Sequence, residues 1–85
     1  MRYSEGMSYS SIVEFLVKTI TSQPEVVKVE EQTEDDHIVC YIQVSPDDVG
    51  KVIGKNGNMI SNIRYFVGAV GKKQNEKVLV KVVTE

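Results

Sequence analysis

The chain predicts an α+β fold in the order α-β-β-α-α-β, with three helices on one face of a three-stranded sheet. Three observations carry that expectation. Apolar residues recur at helical spacing in three stretches and alternate with other residues in three more. Cap and turn residues fall between these stretches. Two glycines, Gly54 and Gly57, stand between the second and third helical stretches with no strand between them.

Ser11-Ile12-Val13-Glu14 has the form of a capping box that opens the first helix. Ile12, Val13, Leu16, Val17 and Ile20 line one face of it, and Pro24 prevents its continuation. Val27 and Val29 alternate with charged residues in a first strand. Glu34-Asp35-Asp36 is a polar turn. Ile38, Cys40, Ile42 and Val44 then alternate with Val39, Tyr41 and Gln43 in a second strand.

Ser45-Pro46-Asp47-Asp48 carries the chemistry of a helix start: a capping serine, proline at the first position, then two aspartates at the positive end of the dipole. Val49, Val52 and Ile53 give one short buried face. After the glycines, Met59, Ile60, Ile63, Phe66, Val67 and Val70 continue as a longer amphipathic helix. Lys72-Lys73-Gln74-Asn75-Glu76 reads as a connector. Val78, Val80 and Val82 alternate with Leu79, Lys81 and Val83 in a closing strand.

Eighty-five residues suit a single small domain. The expected division is an N-terminal extension, 1–10, and one domain, 11–85. No apolar run is long enough to span a bilayer, and Met1 to Ser10 has no hydrophobic signal region. The single cysteine, Cys40, cannot close an intramolecular disulfide, so a reduced cytoplasmic setting is expected.

Val52-Ile53-Gly54-Lys55-Asn56-Gly57-Asn58-Met59-Ile60 is the most informative stretch. Glycine is suited to a sharp turn because it adopts φ > 0 and has no Cβ to hold a ligand's backbone away. Placed at a helix N-terminus, such a turn offers unpaired amides to an anion, here beside the charge of Lys55. A bare G-x-x-G is common and usually only a turn. The agreement of cap, helix and loop spacing makes this one specific.

With those flanks, the chain resembles the KH (K homology) RNA-binding domain in its type II, bacterial arrangement, and within it the small KhpA (YlqC-like) family. The resemblance runs from about Ile12 to the C-terminus. It is densest from Ser45 to Gly57, with further matching pieces at Ile63-Arg64 and Asn75-Glu76-Lys77-Val78. It implies sequence-tolerant binding of single-stranded RNA by a loop that clamps a few backbone nucleotides. It also implies a homodimer and pairing with a second KH protein of the KhpB (Jag-like) family. Two positions depart from the family's habit. Asn58 stands where members commonly carry arginine or lysine after the second glycine, which removes a phosphate contact. Gly68 stands where a charged or small residue is common.

Charge supports this reading locally. The net charge is −2, which on its own argues against a general nucleic-acid binder. From Glu25 to Asp48 eight acids and one lysine give −7. From Val49 to Asn75, Lys51, Lys55, Arg64, Lys72 and Lys73 give +5 with no acid. The positive block coincides with the G-x-x-G helices, although a dipolar surface that merely aids solubility is the plain alternative.

The candidate RNA-binding residues are Gly54, Lys55, Asn56, Gly57, Lys51, Ile53, Asn58 and Arg64. Lys55 offers a point charge and Asn56 a neutral hydrogen-bonding group. Gly54 and Gly57 also fit a helix C-cap followed by a tight turn. Lys51, one turn before Gly54, and Arg64, two turns into the third helix, each suit either an RNA contact or a solvated face. Val49, Ile53 and Ile60 fit an apolar wall for bases and fit a core equally well. Gly50 reads as a site of close helix packing. Gly68-Ala69-Val70-Gly71 reads as a small-residue packing surface or a helix end, and as a candidate dimer contact.

Catalysis finds no support. His37 lies in a turn beside Asp35 and Asp36 with no nucleophile at a useful spacing, and Cys40 reads as a small core residue. No Cys, His or carboxylate cluster has metal spacing. A nucleotide P-loop fails because Gly50 and Gly54 are too close and Asn56 stands where Ser or Thr must hold magnesium. No cofactor is expected. Two readings therefore compete: an RNA grip, acting in post-transcriptional regulation or as an RNA chaperone-like factor, and an adaptor that works by pairing with another KH protein. Single-stranded DNA is a lesser alternative to RNA.

Overall fold

A computed structural model describes residues 8–84 of the chain. The elements are α1 (Tyr9–Ile20), β1 (Lys28–Glu34), β2 (His37–Gln43), α2 (Val49–Ile53), α3 (Asn58–Lys73) and β3 (Lys77–Val82), with short 3₁₀ turns at Pro24–Val26, Pro46–Asp48 and Lys55–Gly57. The order and fold class are those expected from the sequence. Residues 1–7 of the expected N-terminal extension lie outside the described residues.

Helix α1 starts earlier than the capping box at Ser11 suggests. Ser8 is the N-cap, its Oγ accepting from the Ser11 amide at 3.2 Å, and Tyr9 is already buried. The expected cap at Ser11 is corrected on this point. Ser11 supplies the N–H that is capped, and Glu14 pairs with Lys18 at 2.8 Å rather than reaching back to the cap. Two serines three apart offer two similar starts, and burial of the Tyr9 ring favours the earlier one.

β1 and β2 form an antiparallel hairpin closed at Asp35, whose φ is +55°. β2 then pairs in parallel with β3, giving the order β1-β2-β3. The parallel step needs a crossover, and α2 with α3 provides it. Cys40 and Ile42 of β2 and Val78 and Val80 of β3 share one face. They pack against Val13 and Val17 of α1, Val52 of α2, and Ile60, Ile63 and Val67 of α3. Val39 points to the opposite face, as the alternation requires. It is nevertheless fully buried there, between its register partners Gln32 and Leu79.

Helix α3 runs on through Gly68 and Gly71 to Lys73, so the connector is shorter than the sequence suggests. Gln74 caps it, and Asn75 follows in the left-handed region at φ +59°. The Glu76 amide donates to the Gly71 carbonyl at 2.9 Å and the Asn75 amide to the Lys72 carbonyl at 3.1 Å. This is a Schellman cap with asparagine in the usual glycine place. Gly71 serves packing instead. A Cβ there would lie 2.6 Å from Val78 Cγ2 and 2.8 Å from the Glu76 carbonyl oxygen.

Candidate nucleic-acid interface

A five-residue helix such as α2 has too few internal hydrogen bonds to hold its own position. Its N-terminal end is fixed from outside. Ser45 Oγ accepts from the Asp47 amide at 3.3 Å and from Gln23 Nε2 at 3.2 Å. Asp48 is fully buried. Its carboxylate accepts from the Ser22 amide at 3.0 Å, the Ser22 hydroxyl at 2.7 Å and the Gln23 amide at 3.0 Å. The Ser22 amide and hydroxyl, with smaller help from the Gln23 amide and Lys51, hold the Asp48 carboxyl below its usual pKa against the opposing effect of burial. The segment after α1 is thereby stapled to the start of α2. The sequence points to Asp48 only as a dipole partner, and the staple depends on a segment more than twenty residues away.

At its other end α2 stops in a turn built from positive-φ residues. The Gly54 amide donates to the Gly50 carbonyl at 2.8 Å, and the Gly57 amide to the Gly54 carbonyl at 3.1 Å. Gly54 has φ +79° with ψ 172°, a conformation open in practice only to glycine. Asn56 (φ +58°) and Gly57 (φ +75°) follow in the left-handed region. Gly54 also lies directly against α3: a Cβ there would be 2.5 Å from Met59 Cβ. Met59 is thus part of the turn's construction, a role that its helical spacing gives no hint of.

Helix α3 begins at Asn58 with no side-chain cap and no acidic residue in its first turn. The Asn58 amide turns back onto the Lys55 carbonyl, and the positive end of this sixteen-residue helix's dipole still favours an anion beside the turn. Lys55 and Asn56 are exposed on the turn and Asn58 beside it. Among the described residues Lys55 makes no ion pair, whereas Lys51 Nζ lies 3.8 Å from Asp48 Oδ1.

Not every candidate gathers here. Arg64 Nε donates to the Val80 carbonyl at 3.0 Å, which anchors the guanidinium on the outer edge of β3. The wall expected of Val49, Ile53 and Ile60 divides. Ile60 is buried in the core and Ile53 half-buried against it. Val49 lines a groove of ≈ 380 Å³ with Val44, Pro46 and Val83. Gly50 has nothing within 4 Å of a built Cβ, so close packing is not its role.

A family model described as KhpA/KhpB, KH domain, matches residues 10–82. The chain belongs to this family. Its relatives include the RNA-binding protein KhpA of Clostridium perfringens, 40% identical over 72 residues that cover 85% of this chain and 96% of the relative. The RNA-binding protein KhpA of Clostridium acetobutylicum is 35% identical with the same coverage. Among solved structures, Aquifex aeolicus Era bound to GDP·AlF4⁻ superposes with a TM-score of 0.55 at 22% identity. The match covers 91% of this chain and 31% of that one. At that identity the likeness concerns the KH fold alone.

Chemistry elsewhere is sparse. Cys40 is buried, and burial foremost, with Glu31 second, pushes its thiol up to about 11. Among the described residues no group of three or more His, Cys, Asp or Glu is placed to hold a metal ion. Among them, too, no helix is long and apolar enough to cross a membrane.

Proposed function

We infer that this protein binds short single-stranded RNA, gripping the sugar-phosphate backbone with the Gly54-Lys55-Asn56-Gly57 turn. The observation that carries the reading is the meeting of an exposed Lys55, without an ion pair among the described residues, with the N-terminus of α3, which has no side-chain cap, across a turn that lacks Cβ atoms at two of four positions. Phosphate suits that combination of helix end and charge. The RNA-binding name carried by the KhpA relatives agrees with it.

In this reading Lys55 and the positive end of α3 hold phosphates, Asn56 and Asn58 supply neutral side-chain hydrogen bonds, and Ile53 stiffens the end of α2. Lys51 contributes from one turn back, restrained by Asp48. Bases lie toward the groove beside Val49. Arg64, at the far margin with its Nε on the Val80 carbonyl, adds no phosphate contact. The protein is a non-enzymatic cytoplasmic factor in post-transcriptional control or RNA remodelling. Two or three phosphate contacts imply a shallow salt slope of roughly −2. Two modules acting together raise so modest an affinity, so a homodimer or a pair with a KhpB-type KH protein is the working form.

The test is fluorescence anisotropy with a labelled mixed-sequence single-stranded RNA at low salt, comparing wild type with Lys55→Asp/Asn56→Asp. Binding by wild type that falls tenfold or more in the variant supports the grip. Equal affinities, or no binding by either at high protein concentration, favours the adaptor reading. One observation speaks for that second reading: an exposed apolar groove between α1 and α3.

A further inference from the structure

The helices pack on one face of the sheet. On the other face, strand register aligns the side chains in rows that run across all three strands. Glu34, His37 and Lys77 form one row, and Glu30, Tyr41 and Lys81 form another. Each reads acid, aromatic ring, lysine from β1 to β3. Between them lies an uncharged row of Gln32, Val39 and Leu79. Lys77 and Lys81 are exposed, and His37, Tyr41 and Leu79 are half-buried. Tyr41 is tethered: its hydroxyl donates to Glu34 Oε2 at 2.5 Å, a bond that reaches diagonally across the middle row. Val39 in that row is wholly buried although it faces away from the helices.

We propose that this outer face is a second contact for single-stranded RNA, and the one at which base identity is sensed. The proposal rests on the reading that the protein binds RNA, but it uses none of the residues of the turn. Neighbouring strands stand about 4.8 Å apart, so a row spans roughly 10 Å from β1 to β3. A nucleotide laid across the Glu30 row meets three suitable groups in order. Lys81 takes the phosphate as a point charge. The Tyr41 ring stacks on the base. The Glu30 carboxylate accepts from an amino group on the far edge of the base. In the other row Lys77 and His37 repeat the first two roles, and Glu34 holds Tyr41 in place. The rows lie four residues apart, about 13 Å along each strand, with Val39 and Leu79 as the floor between them. Aromatic residues on a sheet stack two or three bases in such a space.

Base preference follows from the carboxylate. Cytosine and adenine present an amino group, where uracil presents a carbonyl oxygen that a carboxylate repels. The acids of β1 also turn the phosphates toward β3, which fixes the side on which the backbone runs. Lys28 faces outward too, so three lysines stand against two glutamates and the acidity of the hairpin does not close this face to RNA. A protein partner is less well served. Interface cores are depleted of charge, and here the uncharged surface is a single row flanked by charged ones.

The test is an NMR titration of the amides of the isotope-labelled full chain with the trinucleotides r(CCC) and r(UUU) at low salt. The expected result is a saturable shift at residues 37–41 and 77–81 with r(CCC), which binds there tenfold or more tighter than r(UUU). Glu30→Ala is expected to abolish that preference. Tyr41→Ala/Lys81→Glu is expected to weaken the response of the sheet tenfold or more, and Lys55→Asp/Asn56→Asp to leave it unchanged. Should the double variant unfold, Lys81→Glu alone, at an exposed position, takes its place with an expected loss of threefold or more. Shifts confined to the turn overturn the proposal and leave the turn reading standing, whereas shifts confined to the sheet do the reverse. A preference that is missing, or that survives Glu30→Ala, overturns the sensing of bases by this face. Sheet shifts that grow with protein concentration when no RNA is present assign the face to a second copy and overturn the proposal. No shift anywhere overturns both readings.

Discussion

A Cβ built on Gly54 would lie 2.5 Å from the Cβ of Met59 and 2.7 Å from its amide nitrogen. The end of α2 and the first turn of α3 therefore touch at a point with no room for a side chain. The backbone angle at Gly54 demands glycine as well, so two independent constraints coincide on one residue.

Gly54→Ala is expected to cost at least about 2 kcal/mol, from the strained angle and the contact together. Gly57→Ala meets open space and carries only the left-handed penalty of about 1 kcal/mol. Urea unfolding of the two variants checks the order. A Gly57→Ala cost equal to that of Gly54→Ala would contradict the role given to Met59.

Gly71→Ala forces a methyl against Val78 and the Glu76 carbonyl and is expected to destabilise by about 2 kcal/mol. Gly50→Ala lies in a helix with open space around it and is expected to stabilise by about 0.5–1 kcal/mol. Thermal melts should move in opposite directions. A loss of stability at Gly50 would restore the packing role suggested by the sequence.

Asp48 supplies a pH dependence. Its hydrogen bonds to Ser22 lower its pKa in the fold below the ordinary 3.8. A lowered folded pKa adds stability that is complete above the unfolded value and is lost as pH falls through the folded one. Wild type should weaken below about pH 4, and Asp48→Asn should start weaker at pH 7 and lose less on acidification. Urea midpoints at pH 7 and pH 3 measure this. An equal acid loss in the variant would move the effect to other carboxylates.

Arg64→Ala is expected to cost about 1 kcal/mol through the lost bond to Val80. The slope of log affinity for RNA against log salt should stay unchanged. A slope shallower by about one would count Arg64 among the phosphate contacts.

Much of this fold is legible in the sequence because local pattern and tertiary burial agree. The alternation around Cys40 and Ile42, the serine-proline start before Asp48 and the spacing from Met59 to Val70 each survive into the structure. The misreadings share a cause, which is competition between similar local signals. Ser8 and Ser11 both suit a cap, and Tyr9, distant in sequence from its partner Glu76, decides between them. Gly71 and Asn75 both suit a helix end, and the close approach of β3 claims the glycine for packing. The turn itself could be read, since glycine at Gly54 and Gly57 is a backbone demand. The Asp48 staple, the Met59 contact and the Arg64 anchor could not, because each is made with a residue that only the fold brings near.

Of the four residues in the turn, Gly54, Asn56 and Gly57 are tied to their types by positive φ, and Lys55 alone is not. Substitution at either glycine disturbs the shape along with the chemistry, and Asn56 gives way readily only to the few types, aspartate among them, that accept the left-handed region. Lineages can therefore adjust the turn's charge, and with it the strength of its hold on an anion, at one codon while the geometry is inherited unaltered. Backbone geometry leaves position 55 open, and only its contact with an anion holds it to a basic residue.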